Sequence, residues 1–252
     1  MDGIIGINLG SGPWSFPGWV GVDARHLEVS EHLDEHSRLL FPDNSLSYVF
    51  SSHFFEHIND ATAQNLMNES ARVLRPGGIL RITVPDYELV LDRYHHGDHD
   101  FFDRGDWNMT PRYENWRGCG IEPTPETKLV YAFANYATES APPDLWPPWH
   151  YIPGYYNGPP KIDDNEVRDA AARLDAVAFS AWAVTHIPLP YRHTTTGHRN
   201  AYTMEKFDRM LTRAGFRGGV RSGFRQSQAP ALRDEAFDNR PGISMFVEAV
   251  KP

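Results

Sequence analysis

An apolar run of Ile4, Ile5, Ile7 and Leu9 stops abruptly at Gly10-Ser11-Gly12, and a second run, Trp19 to Val22, stops at Asp23. Short apolar runs bounded by glycine read as strands buried in a sheet. A glycine just past such a strand leaves the backbone open to a ligand, because no Cβ is in the way. A carboxylate at the end of the neighbouring strand is placed to accept hydrogen bonds from the two hydroxyls of a ribose. The pair describes a nucleoside-binding edge. Gly-x-Gly alone is a common turn, so the reading depends on the residues beyond Asp23.

Those residues keep the same grammar. Phe41-Pro42-Asp43-Asn44-Ser45 is turn chemistry, with proline presetting φ and the Asx side chains closing local hydrogen bonds. Leu46 to Ser52 reads as a third strand, ending in small polar residues and running into His53 to His57 (HFFEH). From Ala61 to Leu74, the residues Ala63, Leu66, Met67, Ser70, Val73 and Leu74 recur at helical spacing. Asp60 is the expected N-cap and Pro76-Gly77-Gly78 the stop. Ile79 to Val84 is a β-branched strand closed by Pro85. Near the end, Phe207, Met210, Leu211 and Ala214 predict a helix stopped by Gly215. Two more strands are expected near 219–224 and 243–250, the last suited to an antiparallel strand at the sheet edge. The pattern is that of an open α/β sheet.

Between Tyr94 and His198 the character changes to Pro, Trp, Tyr and His, centred on Pro142 to Pro160. Prolines this dense exclude a central strand or a long helix. One helix is expected inside it, capped by Asp163 with Glu166 at capping-box spacing. Its apolar face would be Val167, Ala170, Ala171, Leu174, Val177, Ala178, Ala181 and Trp182. Residues 94–198 are read as a cap inserted into a single domain, 1–252, and expected to cover the ligand edge.

Composition narrows the partners. The 252 residues are 40% hydrophobic, enough for one elaborated core. Net charge is −9, and the only lysines are Lys128, Lys161, Lys206 and Lys251. A phosphate backbone draws on clustered Lys and Arg, so the charge argues against nucleic acid as a partner, and none is expected. The single cysteine, Cys119, rules out an internal disulfide and multi-cysteine zinc motifs. No apolar run reaches membrane-spanning length and no leader pattern precedes Ile4, which predicts a cytoplasmic protein with no membrane partner. The sequence leaves open whether it forms a homodimer.

Five segments in this order carry a resemblance: Ile7–Gly12 (INLGSG), Gly18–Ala24 (GWVGVDA), Leu39–Ile58, Glu69–Glu88 and Tyr202–Phe216. Together they resemble the class I S-adenosylmethionine-dependent methyltransferases, nearest the small type 11 branch. The resemblance implies a Rossmann-like, mostly parallel sheet with an antiparallel C-terminal edge strand, and S-adenosyl-L-methionine as cofactor. Gly10 and Gly12 match the glycines facing the methionine part, with Leu9 and Ser11 beside them. Asp23 matches the ribose acid. Asp34, or Glu35 one position on, matches the acid facing the adenine amine. Ser52 and His53 match positions lining the methionine and the transferred methyl. The chain departs from the family between Gly12 and Gly18, where a parallel crossover normally needs a dozen residues or more. Trp14 and Phe16 are expected to replace the missing helix.

His53 and His57 are candidates for a catalytic base, as are His150 and Tyr151 in the aromatic centre, where rings also suit a sulfonium or ammonium group. His193, His198 and Tyr202 are further base or orienting candidates. The His95-His96-Gly97-Asp98-His99 run has metal-ligand residue types without a ligand spacing, so it reads as a solvated loop and no metal is expected. The leading expectation is methyl transfer to an oxygen or nitrogen of a small molecule. Ring closure of the cofactor itself, releasing methylthioadenosine, is the alternative, and a non-catalytic cofactor-binding subunit the third reading.

Overall fold

The computed structural model describes residues 4–12, 14–23, 35–104, 117, 122–135, 162–187, 197–234 and 236–252. The chain divides into two compact units, Met1–Pro85 with Tyr202–Pro252, and Asp86–Ala201.

The first unit is a six-stranded sheet of order β2-β1-β3-β4-β6-β5. Its strands are β1 (Gly6–Leu9), β2 (Trp19–Val22), β3 (Leu46–Ser52), β4 (Leu74–Pro85), β5 (Val220–Ser222) and β6 (Ser244–Val250). β1 to β4 pair in parallel, with Leu9 opposite both Val22 and Ser51. The antiparallel C-terminal strand is present: β6 runs against β4, and the three-residue β5 pairs on its outer side. Met245 to Ala249 are all buried, as suits a strand with a neighbour on each side. Between β1 and β2 no helix occurs among the described residues. Turns closed by Trp14 N–H to Ser11 O and Trp19 N–H to Phe16 O, both 3.0 Å, make the connection.

Helix α1 spans Asp60–Val73. Asn59, not Asp60, is its N-cap, accepting from the Thr62 N–H at 2.8 Å. Asp60 sits one residue inside, where a carboxylate suits the helix dipole, and pairs with Lys206 Nζ at 2.7 Å. The stop is one residue earlier than the apolar spacing suggests: Leu74 is already extended and enters β4. Pro76 restricts Arg75 to extended backbone, which prevents further turns. Helix α6 (Met204–Arg213), capped by Thr203, packs beside α1, where Gln64 Nε2 donates to Met210 O at 3.0 Å. Ile7, Leu9, Val49, Leu66, Met67 and Phe207, all fully buried, anchor the core, each contributing about 1.5–3 kcal/mol on burial.

Arg81, within the strand expected from Ile79 to Val84, is wholly buried. Its Nε and Nη2 donate to the two Asp238 oxygens at 2.9 and 2.6 Å, and its Nη1 to Glu248 at 2.9 Å. The cluster fastens the segment between β5 and β6 to the sheet. Phe237 of that segment packs on Phe16, Trp19 and Phe50 with ring centroids 4.6–5.1 Å away.

The second unit holds α2 (Tyr87–His95), α3 (Pro125–Phe133), α4 (Asp164–Arg173) and α5 (Ala176–Thr185). Composition changes only near Tyr94, in the last turn of α2, whereas the unit begins at Asp86. The expected single helix is two. Asp163 caps α4 as anticipated, but Leu174 is extended and Asp175 caps α5, accepting from the Ala178 N–H at 2.8 Å. The break resets the helical phase, so Ala181 is exposed while Ala176, Phe179 and Ala183 are buried. His95 and His96 end α2, where His96 Nδ1 meets Asp92 O at 2.9 Å. Pro142 to Pro160 lie outside the described residues. No helix among the described residues is long and apolar enough to cross a membrane.

Candidate active site

Parallel strands deliver their C-terminal ends to one side of a sheet, and there the first unit holds a cavity of about 400 Å³. Asn8 and Phe50 enter from β1 and β3, and Gly10, Ser11 and Gly12 from the turn after β1. Ser52 ends β3 and His53 follows it, Trp14 and Phe16 come from the connector, and Ala236, Asn239 and Arg240 form the far wall.

The two glycines serve different needs. Both are left-handed, with φ of +70° at Gly10 and +51° at Gly12. A Cβ on Gly10 would lie 2.2 Å from Phe54 Cγ, so its missing side chain makes room for a ring of the protein. A Cβ on Gly12 would meet nothing within 4 Å. Gly12 is thus the open backbone position, and its N–H donates to Asp23 Oδ2 at 2.8 Å. Leu9 is fully buried in the core, its carbonyl accepting from Ser51 Oγ at 3.0 Å.

His53 is one of four non-glycine residues with positive φ among the described residues, at +49°. For an L side chain this costs about 1–2 kcal/mol. Its N–H bonds Thr83 O at 2.8 Å, and both ring nitrogens are engaged. Nδ1 lies 3.2 Å from Glu56 Oε1, and Nε2 lies 2.9 Å from Ser244 Oγ. Glu56 is wholly buried. With Glu56 ionised, Nδ1 carries the proton and Nε2 accepts from the serine hydroxyl. His57, half-buried, has Nε2 3.9 Å from the same carboxylate oxygen and does not line the cavity. Ser52 Oγ donates to Asn239 Oδ1 at 3.2 Å, joining the β3 end to the far wall.

Of the residues read from the sequence, Gly10, Ser11, Gly12, Ser52 and His53 converge on the cavity, with Asp23 joined to it through Gly12. Asp34, His150 and Tyr151 lie outside the described residues, and Glu35 is exposed. Sequence reasoning missed Ser244, Asn239 and Arg240, which no motif marks. The His53–Glu56 pairing had a signal: two ionisable residues at i, i+3 across a short turn.

The family model described as methyltransferase domain matches residues 22–82, from the end of β2 through β3 and α1 into β4. Over that stretch the chain is similar to the methyltransferase domains of the type 11 branch, and the match falls within the sheet unit. No curated protein matches the chain. Similar solved structures include an S-adenosylmethionine-dependent methyltransferase from Mesorhizobium loti, at 12% identity and TM-score 0.40, with 99% of this chain and 91% of that one covered. Another belongs to the complex of the Haloferax volcanii Trm112 methyltransferase activator with a methyltransferase, at 11% and 0.40, covering 99% and 82%. A third is PKMT2 from Rickettsia typhi in complex with AdoHcy, at 11% and 0.37, covering 99% and 49%. Likeness this distant carries no argument about what the chain acts on.

Proposed function

We propose that the chain is an S-adenosylmethionine-dependent methyltransferase acting on an oxygen or nitrogen of a small molecule. One observation carries this reading: the open Gly12 backbone, tied to Asp23, shares a cavity with a strained histidine whose ring is oriented by a buried carboxylate.

In this reading Asp23 accepts from the ribose hydroxyls, the Gly10–Gly12 turn lies along the methionine part, and Asp34 meets the adenine amine. Ser52 and His53 border the methyl. The cofactor, when bound, supplies a methyl activated by its sulfonium. The chain's residues then position the acceptor and take its proton. His53 is the proposed base. Glu56 holds Nδ1 protonated, leaving Nε2 to receive the proton, with the Ser244 hydroxyl bonded to it in the resting arrangement. A net charge of −9 fits poorly with a nucleic-acid acceptor.

Product analysis after incubation with cofactor and small oxygen and nitrogen nucleophiles tests the proposal. S-adenosylhomocysteine with a methylated acceptor is the expected pair. Methylthioadenosine would point to ring closure of the cofactor. Tight cofactor binding without any product would make the chain a non-catalytic cofactor-binding subunit.

A further inference from the structure

Charge in the cavity wall is one-sided. Of the residues lining it, Arg240 alone carries a permanent charge, and none is a carboxylate. In a chain of net charge −9 such a wall runs against the average. The Arg240 guanidinium makes no ion pair or side-chain hydrogen bond among the described residues, whereas Arg72 and Arg81 are each fully occupied by carboxylates and carbonyls.

The position of Arg240 is also fixed by its neighbours. Two residues earlier, Asp238 is held by buried Arg81. Phe237 is packed among Phe16, Trp19 and Phe50. Asn239 is bonded to Ser52. Arg240 itself has φ of +51°, and its carbonyl accepts from the Ile243 N–H at 3.2 Å. A left-handed conformation on a non-glycine residue persists only where its surroundings impose it. The fold therefore holds at the cavity a cation with no partner among the described residues.

We propose that Arg240 receives a carboxylate of the bound ligand. The inference rests on the cofactor-binding reading for one of its two sources, the amino-acid end of the cofactor; the other source is an acidic acceptor. A guanidinium matches a carboxylate in planar, two-pronged fashion. One cation suits a singly charged carboxylate better than a phosphate, which draws on several donors.

The test tracks the Arg240 Nε–Hε resonance, assigned by its absence in Arg240→Lys, during titration with S-adenosylhomocysteine, its decarboxylated analogue, and benzoate against benzamide. Calorimetry on wild type and Arg240→Ala accompanies it. If the cofactor supplies the carboxylate, Arg240→Ala weakens S-adenosylhomocysteine by about ten- to a hundredfold and leaves the decarboxylated analogue unchanged. If the acceptor supplies it, S-adenosylhomocysteine binds both proteins alike, while benzoate and not benzamide shifts Arg240. No response of Arg240 to any carboxylate overturns the proposal. Failure of wild type to bind S-adenosylhomocysteine removes the cofactor reading instead, and the benzoate titration then decides Arg240 by itself.

Discussion

The backbone N–H of Gly12 donates to Asp23 Oδ2 at 2.8 Å, so the turn after β1 is buttressed by the acid that ends β2. One carboxylate thereby shapes the glycine turn, and in the proposed function the same carboxylate meets the ribose. Asp23→Ala should weaken S-adenosylhomocysteine binding by about 1.5–3 kcal/mol. Asp23→Asn, which keeps an acceptor oxygen, should lose less. An unchanged dissociation constant in Asp23→Ala, with the fold intact by circular dichroism, would remove Asp23 from the binding site.

Gly10 answers to Phe54 as well as to any ligand, since a Cβ there would lie 2.2 Å from the ring. Gly10→Ala adds left-handed strain to that overlap and should lower stability by about 1–3 kcal/mol. Combined with Phe54→Leu, part of the loss should return, because the overlap is relieved while the strain remains. A double variant no more stable in urea melts than Gly10→Ala alone would show that strain, not Phe54, dominates.

His53→Asn isolates the ring chemistry, because asparagine tolerates the left-handed backbone better than most residues. Turnover should fall by about a hundredfold or more, with cofactor affinity within a few-fold of wild type. Turnover close to wild type would place the base elsewhere, with His57, His150 and Tyr151 next to be tried.

Glu69 accepts from Arg72 Nε and Nη2 at 2.8 and 2.7 Å and from the Leu39 N–H at 2.8 Å. Burial works to raise its pKa, but these hydrogen bonds outweigh burial and hold it below the usual carboxylate range. A lowered folded pKa means the contribution is complete above the ordinary glutamate pKa and is lost as pH falls through the folded value. The melting temperature of wild type should therefore drop more steeply on acidification below about pH 4.5 than that of Glu69→Gln. Parallel acid profiles for the two proteins would contradict this.

Removing the Arg81 guanidinium leaves Asp238 and Glu248 buried together without their cation. Arg81→Met should cost about 3–5 kcal/mol. Because Asp238 anchors the wall carrying Asn239 and Arg240, hydrogen exchange across 236–240 should quicken more than exchange in β1. Uniform acceleration throughout the first unit would mean only global destabilisation.

Much of the sheet was legible because its signals are local. β2 and β3 coincide with apolar runs ended by Asp23 and by Ser52-His53, and α6 is bounded by Thr203 and Gly215. The misreadings arose where a weak local cue met a stronger neighbour. Asn59 took the cap from Asp60 because its side chain reaches the Thr62 N–H. Asp175 split one apolar stretch into two helices by offering a second N-cap. The burial and ion pairing of Arg81 left no cue in the sequence, since its partners lie 157 and 167 residues away.

By itself the sequence determined the strand ends, the glycine turn, the acid at Asp23 and the histidine after β3, because each is set by side chains within a few residues of one another. Tertiary structure alone decided that Gly10 yields to Phe54, that Gly12 is the open position, and that His53 is gripped between Glu56 and Ser244. It also brought the wall of Asn239 and Arg240 to the cavity. Those relationships depend on parallel strands aligning their ends and on β6 returning from the far end of the chain to lie against β4. Pairing at such separation leaves no periodic trace in the residues that take part.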